Sequence, residues 1–173
     1  MPEGPLPEEP GEADRTRRRV LWSLPTGLYI IGSRQGERRH AMTASWVVQL
    51  ATDPKLIGVG VERKALTLQL VRDGGVFSVC TIAREDRALV RKFVKAPAFD
   101  AASGTLNGCA VHEEATGAPV LDAAVAWLDC RLDRLVDFGS HTLMAGVVEA
   151  AGFQAAEDTA VLRMEDTRMS YGG

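Results

Sequence analysis

Between His40 and Thr67 the segment HAMTASWVVQLATDPKLIGVGVERKALT sets residues of distinct chemistry at fixed spacing. Thr43 and Ser45 alternate, so on an extended chain both hydroxyls point to one side. Gly58 and Gly60 also alternate, which strips side chains from one face of a strand and admits a planar group or another backbone. The charged cluster Glu62-Arg63-Lys64 follows, and Thr67 falls in the first turn of a predicted short helix. Two cations, a hydroxyl and the unpaired amides of a helix N-terminus suit a phosphate-like anion. The competing reading is a solvated turn, with the glycines giving packing relief in a tight barrel.

Other reactive side chains are scattered. Cys80, Cys109 and Cys130 are odd in number and widely spaced, so they predict small buried hydrophobes rather than disulfides or a metal site. His141 opens a predicted strand and is either a site residue or a histidine bonded to backbone. His40 and His112 read as ordinary structural residues, Lys92 as part of a solvated helix face, and Trp46 as either a stacking surface or filler for a barrel end. No Gly-x-Gly-x-x-Gly sequence occurs, which excludes a Rossmann nucleotide domain.

The elements that must carry these residues are mostly strands. Thr26–Ser33 reads as a buried strand, Gln35–Arg38 as a hairpin turn into a second, and Leu56–Glu62 and Val76–Ile82 as two more, rich in Val and Ile. In Trp127–Asp133 the polar residues recur at every second position, predicting Leu128, Cys130 and Leu132 on a buried face and Asp129, Arg131 and Asp133 on a solvated one. His141–Ala151 gives another strand and Ala160–Met164 a short last one. Helices are predicted over Ala65–Arg72, ended by Asp73-Gly74, and over Asp86–Lys95, closed by Pro97. Ala96–Val120, rich in Ala, Gly and Thr, reads as a long surface excursion that could cover a site or a neighbouring subunit. Short, numerous strands need paired edges, so the expected class is mainly β (α+β), an antiparallel barrel closed or nearly so, with two or three short helices.

Composition bounds the rest. The chain of 173 residues suits one domain, here 20–173, preceded by a tail over 1–19 that holds four of the eight prolines and the basic run Arg15–Arg19 and is expected to be disordered. A net charge of −3 argues against a nucleic-acid partner. No apolar run approaches the ~20 residues of a membrane span and no signal-type core follows the N-terminus, so no membrane association and a cytoplasmic location are expected.

In order and spacing, a series of short strings resembles the flavin-reductase-like family, whose fold is the FMN-binding split β-barrel. They are Pro25-Thr26-Gly27, Met42–Trp46, Asp53–Leu56, Val61-Glu62-Arg63, Phe77-Ser78-Val79, Gly117–Leu121, Ala126–Cys130, Ser140–Leu143 with Gly146, and Tyr171-Gly172-Gly173. The resemblance runs from Leu24 to Gly173. It implies that Thr43, Ala44, Ser45 and Trp46 line the flavin ring and ribityl chain, and that Glu62, Arg63, Lys64, Ala65 and Thr67 form the phosphate loop. Val79, Cys80 and Thr81 would approach the flavin edge, although many members carry Asn where this chain has Cys80, so backbone groups would have to serve there. His141 would lie near the nicotinamide and the flavin face, as the catalytic candidate.

The same resemblance implies an NAD(P)H:FMN oxidoreductase, with FMN rather than FAD as the flavin, NADH or NADPH as co-substrate, a homodimeric assembly, and a partner monooxygenase that takes reduced flavin. The nucleotide would stack transiently on the flavin in an open cleft, which holds the nicotinamide C4 against the flavin N5. The alternative function is an FMN-binding electron carrier without nucleotide turnover.

Overall fold

Residues 11–95 and 98–169 are described in a computed structural model of the chain. The order of elements is α1 (Glu12–Trp22), β1 (Tyr29–Gln35), β2 (Arg38–Ala44), β3 (Val47–Thr52), β4 (Lys55–Glu62), α2 (Leu66–Gly74), β5 (Val76–Thr81) and α3 (Arg87–Arg91). The chain continues through β6 (Phe99–Asp100), β7 (Thr105–Leu106), β8 (Cys109–Glu113), β9 (Pro119–Leu121), β10 (Ala126–Asp137) and β11 (His141–Phe153). Seven strands form one antiparallel sheet in the order β2-β1-β5-β10-β11-β4-β3, and β6 to β9 form a second, four-stranded sheet. The large sheet curls until β2 approaches β4, which produces a split antiparallel barrel with three helices, the expected class. None of the helices among the described residues is long and apolar enough to cross a membrane.

Two apolar clusters explain why β1 and β5 read as continuous hydrophobic runs. Ile30 with Cys80 and Ile82 faces one cluster, which also holds Val90, Phe93, Leu106, Val120 and Leu121. Ile31 with Phe77 and Val79 faces the other, with Val59, Val61, Leu68, Val71 and Met144. Strands covered on both faces lose the polar alternation of a half-exposed sheet. The second cluster is the barrel interior, closed by α2, whose Thr67, Leu68, Leu70 and Val71 are buried. α2 ends on Gly75 in the left-handed conformation, and Gly74 has no side chain because a Cβ there would lie 1.8 Å from the carbonyl oxygen of Arg34 on β1. The first hairpin turns on Gly36, at positive φ, the first of two loop positions.

Several expectations need correction. Arg15–Arg19, expected in a disordered tail, belongs to the helix α1, an element with no buried residue; residues 1–10 lie outside the described set. Acids in its first turn, Arg19 in its last and an Asp14–Arg18 pair at i,i+4 supply local support that composition alone hid. Ala96–Val120 is not a surface excursion: from Phe99 onward it folds into the small sheet and buries Leu106, Cys109 and Val120. The predicted helix over Asp86–Lys95 shortens to a 3-10 turn (Arg84–Asp86) and the five residues of α3, while Pro97 falls outside the described residues. The final strand over Ala160–Met164 reduces to isolated bridges at Val161 and Arg163. β3 was not anticipated; the Asp53-Pro54 turn pairs it with β4.

Asp129 breaks the alternation read in β10. It is fully buried and accepts hydrogen bonds from the Thr116 backbone N–H at 2.7 Å and from the Thr116 hydroxyl, beneath the loop that leads into β9. A carboxylate can be buried where donors replace its water, so a polar residue on the expected solvated face became an anchor for that loop. Replacing the hydroxyl by a methyl, Thr116→Val, should lower the unfolding free energy by about 1–3 kcal/mol, read from the shift of a denaturant midpoint at unchanged slope. A change within experimental error would show that Thr116 does not hold Asp129.

Candidate functional site

A cleft of about 550 Å³ opens between the end of β2 and the β4–α2 connection, within the size range of small-molecule sites. Thr43, Ala44, Ser45 and Trp46 form one wall, Gly60, Val61, Glu62 and Ala65 another, and His141 closes one side. Long-range pairing brings these segments together. β4 and β11 run antiparallel with His141 opposite Glu62, and the Gly60 N–H donates to the carbonyl of Trp46 at 2.8 Å. Two stretches of the opening segment and a histidine some eighty residues later therefore meet at one place.

The paired glycines serve side-chain packing. A Cβ on Gly60 would lie 3.2 Å from Cβ and Cε3 of Trp46, and one on Gly58 would lie 2.9 Å from Cδ1 of Leu50. The planar group that Gly60 admits is the indole of Trp46, which stands 43% exposed at the cleft with its ring centroid 4.6 Å from that of His141 and tilted by 48°. His141 is held from its other side by Ser140, whose hydroxyl lies 3.0 Å from Nδ1. Trp46 and His141 thus form a continuous aromatic corner, suited to a flat, conjugated ligand.

The hydroxyls of Thr43 and Ser45 do not act as a pair. Thr43 lines the cleft, yet its hydroxyl donates to the Val90 carbonyl at 2.5 Å and its N–H donates to Phe93, tying the segment after α3 to β2. That tether brings Phe93 and Val94 to the cleft. The sequence reading missed them because the i,i+4 pairs Leu89/Phe93 and Val90/Val94 suggested one helix face, whereas α3 ends at Arg91 and turns Val94 outward, 53% exposed.

At the charged end, Glu62, Arg63 and Lys64 are exposed on the turn into α2, and none of the ion pairs among the described residues uses Lys64. Arg63 reaches Asp137 only at 3.8 Å, with both side chains more than half exposed, so the pair is weak and easily exchanged. Ala65 is the N-cap residue, with no side-chain cap bond. Thr67, in the first turn, is fully buried and its Oγ1 has no hydrogen-bond partner. An orphaned buried hydroxyl costs about 1–3 kcal/mol, and here it accompanies uncapped amides and two adjacent cations. The uncapped amides and the two exposed cations fit a phosphate group, while Arg63, Lys64 and the sealed Thr67 hydroxyl lie outside the lining of the cleft itself.

Val79, Cys80 and Thr81, expected at the flavin edge, do not line this cleft. Val79 faces the barrel interior and Cys80 the outer cluster, while the Thr81 hydroxyl exchanges hydrogen bonds with the backbone of Ala126. Burial pushes the Cys80 thiol up to about 11, so it offers neither a thiolate nor a ready donor. All three cysteines are buried and free. His40 is buried, and burial together with Arg38 lowers its pKa, which keeps the ring neutral. His112 lies between Asp122 and Glu114, away from the cleft, and Lys92 contacts Cys109.

Residues 21–172 match the flavin reductase like domain. The NADPH-flavin oxidoreductase of Streptomyces viridifaciens is 31% identical over 146 residues, which cover 80% of this chain and 72% of that protein. The curated relatives that match first are long diflavin flavoproteins of cyanobacteria, of which this chain spans 22–24%. Among solved structures, the NADH:FAD oxidoreductase SgcE6 of Streptomyces globisporus superimposes with a TM-score of 0.78 over 96% of this chain and 97% of its own at 24% identity, a likeness of fold. BorF, the flavin reductase component of a bacterial two-component tryptophan halogenase, superimposes with a TM-score of 0.73 at 29% identity over 86% of this chain and 92% of its own. A split barrel, a cleft with an aromatic corner and a phosphate-compatible helix start, and a domain match over nearly the whole length converge: this chain belongs to the flavin reductase like family.

Proposed function

We propose that this chain is an NAD(P)H-dependent flavin reductase that binds FMN in the cleft, with the ring system toward Ser45, Trp46 and His141 and the phosphate toward Arg63, Lys64 and the start of α2. The observation that carries this reading is the uncapped start of α2 at Ala65, a residue of the cleft wall that directly follows the two exposed cations Arg63 and Lys64. The bound flavin would supply the two-electron acceptor chemistry, and the chain supplies position and environment. Trp46, Val61 and Phe93 add apolar surface to the slot, which strengthens the electrostatics within it. The positive end of α2 with Arg63 and Lys64 anchors the phosphate and so fixes the ring in register. Held by Ser140 and Trp46, His141 can offer an N–H to the carbonyl edge of a flat ligand, favouring the form that gains negative charge.

The cleft is open on one side, in keeping with a nucleotide that binds transiently and a flavin that exchanges with solution for use by a separate oxygenase. The adjoining edge strand β3 exposes Val48 and Leu50, which supports a homodimer that covers this edge and completes the cleft.

Purified protein mixed with FMN and excess NADPH or NADH should show sustained loss of nicotinamide absorbance above the free-flavin background. A single stoichiometric bleaching of bound flavin would instead identify an electron carrier. Arg63→Ala with Lys64→Ala should weaken FMN at least about tenfold and riboflavin, which lacks the phosphate, by less than about twofold, in fluorescence-quenching titrations. Equal weakening of both would remove the phosphate from this turn. Thr67→Val should leave apo stability unchanged or raise it by about 1 kcal/mol, read from the denaturant midpoint, because it removes a buried hydroxyl that has no partner. A loss of stability would show that the hydroxyl serves the fold.

A further inference from the structure

Three arginines converge on a second concavity, about 360 Å³, that the reductase reading does not use. Arg87 and Arg91, from α3, and Arg168, from the segment after β11, line it with Asp166 and Thr167. Arg87 and Arg91 stand at i,i+4 on the exposed face of a helix whose Val90 is buried, an arrangement of like charges that weakens the helix. None of the three arginines takes part in an ion pair among the described residues. The carboxylate at hand, Asp166, is already engaged by Arg84 at 3.2 Å and by the Arg163 backbone N–H at 2.9 Å. In a chain of net charge −3, this is a local excess of cation that its own acids leave unbalanced.

The concavity is joined to the cleft in a definite direction. An intermediate hollow of about 270 Å³ shares Ser45 and Trp46 with the cleft and Thr167 with the arginine site, and Met164 and Met169 line it between the two. In the pose proposed above, Ser45 and Trp46 mark the ring end of the cleft, whereas Glu62 and Ala65 mark the phosphate end. The adenylate half of an FAD would extend past the phosphate end and away from this hollow. A nucleotide stacked on the ring, by contrast, leaves the cleft at Trp46 and enters it. The hollow, lined by Trp22, Leu24 and Pro25 as well as by the two methionines, with Glu165 among its polar residues, suits a purine, and the arginines lie one step beyond.

We infer that Arg87, Arg91 and Arg168 bind the 2′-phosphate of NADPH, with the adenine in the hollow between Trp46 and Thr167, so that the chain prefers NADPH to NADH. This rests on the reading of the cleft as a reductase site. A terminal phosphomonoester is near −2 in charge, and planar guanidinium groups grip its oxygens in pairs, which an array of exposed arginines around a concavity allows. A 2′-hydroxyl in the same position gives them no charge to meet.

The test uses the full chain loaded with FMN, at fixed ionic strength, with Arg87→Ala/Arg168→Ala as the variant. The probes are adenosine 2′,5′-bisphosphate and 5′-AMP, titrated calorimetrically. The unaltered protein should bind the bisphosphate at least about tenfold more tightly than 5′-AMP, and the variant should bind the two alike. In turnover, the variant should raise KM for NADPH about tenfold and leave kcat and the NADH KM unchanged. Equal losses with NADH and NADPH would overturn the assignment in favour of a contact shared by both nucleotides, and no change with either would overturn it outright. If neither nucleotide is oxidised, the reductase reading falls by itself, while the calorimetric preference and its loss in the variant still decide the phosphate site.

Discussion

The indole of Trp46 rests on a position where the backbone has no side chain, and the cleft takes its form from that contact. Gly60 allows the approach, its N–H fixes the Trp46 carbonyl, and pairing of β4 with β11 sets His141 against the other side of the same ring. A tryptophan fixed at three points is a wall rather than a mobile lid. The barrel beneath it supplies the rigidity: β4 lies between β11 and β3, and its Val59 and Val61 are anchored in the interior cluster. Site residues carried on strand ends of a closed core are placed more accurately than residues on free loops.

Electrostatics and burial are separated along the cleft. The aromatic end is apolar and packed, whereas the other end, at Glu62 and Ala65, adjoins an uncapped helix start and two exposed cations. An amphipathic ligand with a flat body and an anionic tail matches this polarity only in one orientation. The same division explains why the helix start is left uncapped: a Ser or Asp at position 65 would satisfy amides that an anion can otherwise engage.

Much of this was legible in the sequence. The Val- and Ile-rich runs identified β1, β4 and β5, the Gly36 turn identified the first hairpin, and the charged cluster Glu62-Arg63-Lys64 falls, as expected, on the turn before a short helix. Other features required the tertiary structure. Asp129 obeyed a period-two pattern and is nevertheless buried, because a loop thirteen residues away provides its donors. Thr43 carried the right chemistry in the right place but spends its hydroxyl on Val90, forty-seven residues distant. The small sheet had its own local signal in Asn107-Gly108, both at positive φ between β7 and β8, obscured by the Ala, Gly and Thr content around it. The placement of Val79, Cys80 and Thr81 away from the cleft follows from β5 being covered on both faces, which its continuous apolar run already indicated and the family resemblance overrode.

The depth at which Cys80 and Cys130 are set has a chemical meaning of its own. Burial drives the Cys80 thiol to about 11, and burial with the nearby Asp129 and Glu149 carboxylates drives that of Cys130 to about 12. Near neutral pH only about one Cys80 in ten thousand is thiolate, the form that oxidants attack. Dihydroflavin that escapes into air reduces dioxygen to hydrogen peroxide, so the proposed reductase activity would work amid a corrosive by-product. Thiols sealed inside the barrel walls and held protonated are shielded from such an oxidant, whichever reaction produces it.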